Sequence, residues 1–194
     1  MTKLTVSDIS DLRAYERERD EFRAHVIAVK RLRRIGVGPL VTVVFENALT
    51  MRFQIQEMAR AEKMTTDEAL QTELDTYNPL IPEVGELSMT LFIELTSEEQ
   101  LREWLPKLVG IERSVGVVIG EDPMIPAALD AEHALQLTRD EITASVHYLR
   151  VTISAADQQR FSDGPARLVI DHPDYSYAAD LSDETRASLV ADWA

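Results

Sequence analysis

The sequence predicts a single α+β domain, residues 1–194, with a mostly antiparallel sheet and several helices packed on it. Three observations predict it. Strand-like and helix-like segments alternate irregularly, without the regular strand–helix repeat of a doubly wound parallel sheet. Two strand-like runs, Arg34–Val37 and Leu40–Phe45, flank Gly38-Pro39 at hairpin spacing. The chain has 194 residues, 45% of them hydrophobic, which suits one ordinary core.

The elements follow in order. A helical segment fills about residues 7–33. Ser7 or Asp8 can cap it, and Leu12, Tyr15, Phe22, Val26 and Val29 recur at helical spacing, with a break allowed near Tyr15. The mixed core, about 34–194, begins with the hairpin, and a helix over about 46–62 comes next. Thr65 or Thr66 caps a further helix, Asp67–Tyr77, which Asn78-Pro79 ends. Leu87–Leu95 reads as a strand. Ser97 and Gln100 form a capping box for a helix to about Leu108. Arg113–Ile119 reads as a buried strand. Glu121–Asp130, with two prolines, reads as loop. Ser145–Ser154 is a long strand, Ala155–Phe161 a helical turn and Ala166–Asp171 a strand. His172-Pro173-Asp174-Tyr175 reads as a turn, and Ser182–Trp193 as a capped helix.

Composition excludes several chemistries. No cysteine occurs, so disulfides, cysteine-ligated metals and a thiol nucleophile are out. The longest apolar runs, Leu40–Phe45 and Val115–Ile119, are strand-length, so no membrane span is expected, and the charged first twenty residues lack a signal-peptide core. These features point to the cytoplasm. The net charge is −14, and residues 1–34 carry nine Lys/Arg against six Asp/Glu, so the rest is strongly acidic. An acidic body repels phosphate backbones and makes nucleic acid an unlikely partner. The basic block Lys30-Arg31-Leu32-Arg33-Arg34 reads as a solvated helix end, favoured by the helix dipole. A patch for nucleic acid or an acidic partner is the alternative.

Nucleotide and nucleophile motifs are missing. There is no phosphate-binding Gly-x-x-x-x-Gly-Lys-Ser/Thr loop, no dinucleotide fingerprint and no Gly-x-Ser-x-Gly elbow. The four histidines, His25, His133, His147 and His172, do not fall at metal-ligand spacings.

The helix over about 46–62 carries the most information. At 100° per residue, Glu46, Thr50, Gln54, Glu57 and Arg60 fall within an arc of roughly 120°, opposite an apolar face of Ala48, Met51, Ile55, Met58 and Ala59. The stripe mixes acids, an amide, a hydroxyl and a guanidinium, whereas a plain solvent face favours Lys–Glu pairs. It reads either as an exposed face or as the wall of a recessed polar pocket. In a pocket, Glu57 is the candidate catalytic base and Glu46 the second carboxylate. Thr50, Gln54, Arg60, Tyr77 and Asn78 are ligand-binding candidates, and Glu46, Glu57 and His147 a candidate metal set. Arg60 competes for the same carboxylates, which argues against a metal. Glu73, Glu86, Thr90 and Glu94 are further polar candidates, and by strand parity Glu86, Ser88, Thr90 and Glu94 share one face.

The run Arg33-Arg34, Phe45-Glu46-Asn47, Thr50, Gln54-Ile55-Gln56-Glu57-Met58, Arg60 and Glu62, followed by Tyr77-Asn78 and Ile81-Pro82, resembles the bacterial family called domain of unknown function 3501. Val146-His147-Tyr148, Asp171-His172-Pro173, Tyr175 and Asp192-Trp193 extend the resemblance along the chain. The family brings no assigned activity. Its members are often encoded near rubrerythrin-like proteins and iron–sulfur oxidoreductases. The resemblance therefore implies an accessory or partner role in redox or oxidative-stress metabolism. The residues themselves leave two further readings open: a small enzyme or ligand-binding module using the helix over about 46–62, and a carboxylate/His metal-binding protein.

Overall fold

The computed structural model describes residues 3–129 and 142–193. The first helix, α1 (Leu12–Arg33), runs unbroken past Tyr15 because Asp11 caps it, accepting from the backbone N–H groups of Arg13 and Ala14. Ser7 and Asp8 instead belong to a separate 3-10 turn, Val6–Asp8. Strands β1 (Arg34–Val37) and β2 (Val41–Glu46) form the expected hairpin, with Ile35 opposite Val43. Asn47 then caps α2 (Ala48–Ala61), and Thr66 caps α3 (Asp67–Tyr77).

The remaining elements are β3 (Glu86–Ile93), α4 (Glu98–Lys107), β4 (Val115–Ile119), β5 (Ile125–Pro126), β6 (Ala128–Leu129), β7 (Val146–Thr152), α5 (Ala155–Asp163), β8 (Ala166–His172), β9 (Tyr175–Leu181) and α6 (Asp183–Val190). The strands make two antiparallel sheets, a five-stranded one ordered β1-β2-β3-β7-β6 and a four-stranded one ordered β5-β4-β8-β9. The fold is α+β, as the irregular alternation predicts.

Asp130 and His133 lie outside the described residues. The described part, 121–129, of the stretch expected as loop, Glu121–Asp130, contains β5 and β6. Each pairs with a different sheet, Ile125 opposite Val117 and Leu129 opposite Leu149, so the chain crosses between sheets at Ala127. Two-residue pairings are too short for an alternating pattern, and Pro126 is tolerated because β5 is an edge. The helical turn expected at 155–161 is a full helix to Asp163, capped by Ser154. Among the described residues no helix is long and apolar enough to cross a membrane.

Alternation along the strands decides what faces what. Val43, Phe45, Met89, Leu91, Leu149 and Val151 point from the five-stranded sheet into one core with Val115, Val117, Leu168 and Ile170 of the other. The opposite face of the five-stranded sheet carries Thr42, Glu46, Ser88, Thr90, Phe92, Tyr148 and Arg150. It is covered by α1 and α2, with Met51, Leu80 and Ile81 packing beside Tyr77 and Tyr148.

Two polar bolts join distant segments. Tyr175 donates its hydroxyl to the Val37 carbonyl at 2.7 Å and accepts from Leu40 N at 2.9 Å and Val41 N at 3.1 Å, tying β9 to the first hairpin. Arg33, the last residue of α1, is buried and ion-paired to Asp192 at 2.6 Å. Asn47 donates to the other Asp192 oxygen at 3.1 Å. The neighbouring Trp193 donates its indole N–H to the Glu86 carbonyl at 2.9 Å.

Candidate functional site

Between α1, α2, the turn Asn78–Leu80 and the covered face of the five-stranded sheet lies a cavity of about 170 Å³. Its polar lining comprises Glu46, Gln54, Tyr77, Thr90, Tyr148 and Lys30, and its apolar walls are Met51, Leu80, Phe92 and Val146. Strand register explains the floor. Glu46 stands opposite Ser88, and Thr90 opposite Tyr148, so Thr90 is the diagonal neighbour of Glu46. The Thr90 hydroxyl accordingly donates to Glu46 Oε1 at 2.7 Å.

Glu46 is only 5% exposed, and its second oxygen, Oε2, has no hydrogen-bond partner. Leaving a buried carboxylate oxygen unmatched costs on the order of 1–3 kcal/mol or more. Tyr77 shares a hydrogen bond with Gln54. Burial raises the Tyr77 phenol above its ordinary value and does the same to Tyr148, with nearby Glu46 adding to it. Both phenols therefore stay protonated at neutral pH.

The polar stripe expected on one helix divides in three, and Glu46 is not on the helix at all: it is the last residue of β2, because Asn47 caps α2 after it. Glu46 and Gln54 reach the cavity. Thr50 does not: its hydroxyl accepts from Asn47 N and donates to the Asn47 carbonyl, closing the helix cap. Glu57 and Arg60 face α1 instead. Glu57 accepts from the Tyr15 hydroxyl at 2.7 Å and from Arg19 Nε and a terminal guanidinium nitrogen, both at 2.8 Å. Arg60 pairs with Glu16 at 2.6 Å in the open. Asn78 is a clamp, bonding both the N–H and the carbonyl of Leu4.

Residues 3–193 match the family described as "Protein of unknown function (DUF3501)". The chain belongs to the DUF3501 family. A solved structure of a protein of unknown function from the bacterium Burkholderia pseudomallei is 35% identical to it, with a TM-score of 0.91 over 100% of both chains. No curated protein matches.

In this DUF3501 member the role expected for Glu57 as a base needs correction. Arg19, with the Tyr15 hydroxyl assisting, outweighs burial and holds the Glu57 carboxyl down at about 2. A carboxylate so fixed is a poor proton acceptor near neutrality. It is a structural latch between α1 and α2. Its folded value lies below the unfolded one, so its contribution to stability is present above about pH 4.5 and is lost as pH falls toward about 2. The stability gap between wild type and Glu57→Gln, read from urea midpoints, is expected to shrink across that window. A gap that stays constant with pH would contradict the latch.

The candidate metal set also separates. Glu46 lies on the helix-covered face of the sheet and Glu57 against α1. His147 lies on the inner face opposite Leu91, with its Nε2 within 3.0 Å of the Thr143 hydroxyl and 2.9 Å of the Ala144 carbonyl. Among the described residues no group of three or more His, Cys, Asp or Glu is placed to hold a metal ion. Of the other polar candidates, Thr90 reaches the cavity, whereas Glu86 pairs with Arg150 at 2.6 Å and Glu94 accepts from Thr42 at 2.9 Å.

Sequence reasoning overlooked Lys30, Tyr148 and Phe92 in this family member. The basic block is not a uniform solvated end. Lys30 lines the cavity, Arg33 is buried on Asp192, and the Arg34 guanidinium sits 5.9 Å over the Phe92 ring. The available signal was parity, because Thr90 and Phe92 share a strand face, as do Val146 and Tyr148. A larger, mostly apolar groove of about 400 Å³ lies between the N-terminal ends of α1 and α3, lined by Val6, Ile9, Met64 and Leu70. Among the described residues, no unpartnered buried side-chain polar atom belongs to that groove. Size alone therefore does not make it the site.

Proposed function

We propose that this protein is a cytoplasmic binding module for a small polar molecule, seated in the cavity beside α2 with Glu46 as its main contact. The observation that supports this reading is the buried, unmatched Oε2 of Glu46, a residue that lines that cavity. A ligand N–H or O–H that reaches this oxygen, with a small shift of the Glu46 side chain, recovers the hydrogen bond that the fold leaves unmade. The lining has the character of a ligand site: apolar walls with a few convergent polar groups. A volume of about 170 Å³ is small for such a site, since typical pockets hold roughly 300–1,000 Å³. Drug-sized ligands and nucleotides do not fit.

The test is a thermal-shift and calorimetric screen of small polar metabolites against wild type and Glu46→Gln. At least one metabolite is expected to bind wild type and to lose about tenfold or more in affinity in Glu46→Gln, a loss of roughly 1.4 kcal/mol. The variant is expected to fold at least as stably, because it removes a buried charge with an unmatched oxygen. Ligands that bind both proteins equally would defeat the reading.

A second reading is supported by the net charge of −14. An acidic surface speeds association with a basic partner. The partner class would be a redox protein, rubrerythrin-like or an iron–sulfur oxidoreductase. It predicts capture of such a protein from the native host at low salt and its release at high salt. Recovery of no redox protein at low salt counts against it.

A further inference from the structure

We infer that the molecule held in this cavity is a small amino acid, bound as a zwitterion with its ammonium on Glu46 and its carboxylate on Lys30; the inference rests on the ligand-binding reading above. Two residues of opposite charge line the cavity, Glu46 from the end of β2 and Lys30 from the last turn of α1. They do not satisfy each other: Glu46 Oε1 is engaged by Thr90 and Oε2 is unmatched. A ligand with one charge answers one of these groups and is repelled by the other. A ligand with both charges answers both, and in a partly desolvated cavity each pairing is worth more than in water.

The remaining lining agrees with this chemistry. Tyr77, Tyr148 and Phe92 place three aromatic rings around the space, and such rings favour a neighbouring ammonium. Met51, Leu80 and Val146 add aliphatic wall for a short apolar stem. A cavity of about 170 Å³ lies below the roughly 300–1,000 Å³ of pockets for drug-sized ligands, which restricts the ligand to about ten non-hydrogen atoms. Small amino acids meet this limit; nucleosides and peptides larger than glycylglycine do not.

The probes are L-valine and 4-aminobutyrate as zwitterions, isobutylamine as a cation and butyrate as an anion, titrated calorimetrically into the full chain. At least one zwitterion is expected to bind about tenfold or more tightly than either single-charge probe. Lys30→Met, which keeps the apolar stem, is expected to reduce the zwitterion to the affinity of isobutylamine. Glu46→Gln is expected to weaken both the zwitterion and isobutylamine. Isobutylamine binding wild type as tightly as the zwitterions would overturn the proposal in favour of a simple cation site. No binding of either zwitterion would overturn it too. In either case a Glu46-dependent ligand from the wider metabolite screen keeps the ligand-binding reading standing on its own.

Discussion

Arg33→Ala is expected to destabilise the fold by about 3–5 kcal/mol, the usual result of removing one partner from a buried ion pair. The guanidinium is 2% exposed and Asp192 11%. Its loss strands Asp192 inside the protein with only the Asn47 amide, at 3.1 Å, still attached. Arg33 also bonds Ser188 through its hydroxyl, at 3.0 Å, and through its carbonyl, so the end of α6 loosens with it. Urea unfolding measures the loss. Fluorescence of Trp193, which packs 5.6 Å from the Phe161 ring, is expected to report local release before global unfolding. The double variant Arg33→Met with Asp192→Leu is expected to recover much of the stability, because replacing both charges leaves no unpaired ion. A single variant as stable as wild type would show that this pair does not hold the segment down.

Gly38→Ala is expected to cost about 2–4 kcal/mol, through backbone strain and overpacking together. Gly38 has φ of +73°, a left-handed conformation that L side chains resist. An added Cβ would also lie 2.6 Å from the Tyr175 hydroxyl and 2.6 Å from the Tyr177 ring. The methyl thus pushes on the bolt that fastens the β1–β2 turn to β9. Tyr175→Phe leaves the backbone untouched and removes only the hydroxyl, so its expected loss is smaller, about 1–3 kcal/mol. Calorimetric melting of both variants checks the order. A Gly38→Ala protein that melts with wild type would mean that the turn relaxes away from Tyr175 at no cost.

The fold class was legible because long periodic segments carry their own pattern. The apolar recurrence in α1, despite its gap after Tyr15, and the β-branched run before Glu46 are local signals, and each led to the right element. The 125–129 crossover was not, since two-residue pairings leave no period to read. The candidate site was half legible for a similar reason. Helix geometry grouped Glu46 with Gln54 for the wrong reason: Glu46 ends β2, and the two meet at the cavity because α2 packs back over the sheet face that carries Glu46. Separating them from Glu57 and Arg60 needs the position of α1, which brings Tyr15, Arg19 and Glu16 against one part of the stripe and Lys30 against another. No spacing in the sequence records that docking. Parity assigned Thr90 to the face shared with Glu86 and Ser88, but it could not say that helices would cover that face and leave Glu86 with Arg150 and Thr90 with Glu46.

The Arg33–Asp192 pair joins positions 159 apart, and the Tyr175–Val37 bond joins positions 138 apart. The first helix and the first hairpin therefore find their final partners only after nearly the whole length of chain has been gathered in. Contacts of such range slow two-state folding toward milliseconds to seconds, since the intervening loop must be closed before the bond rewards it. A net charge of −14 makes copies of the chain repel one another during that search, which works against aggregation.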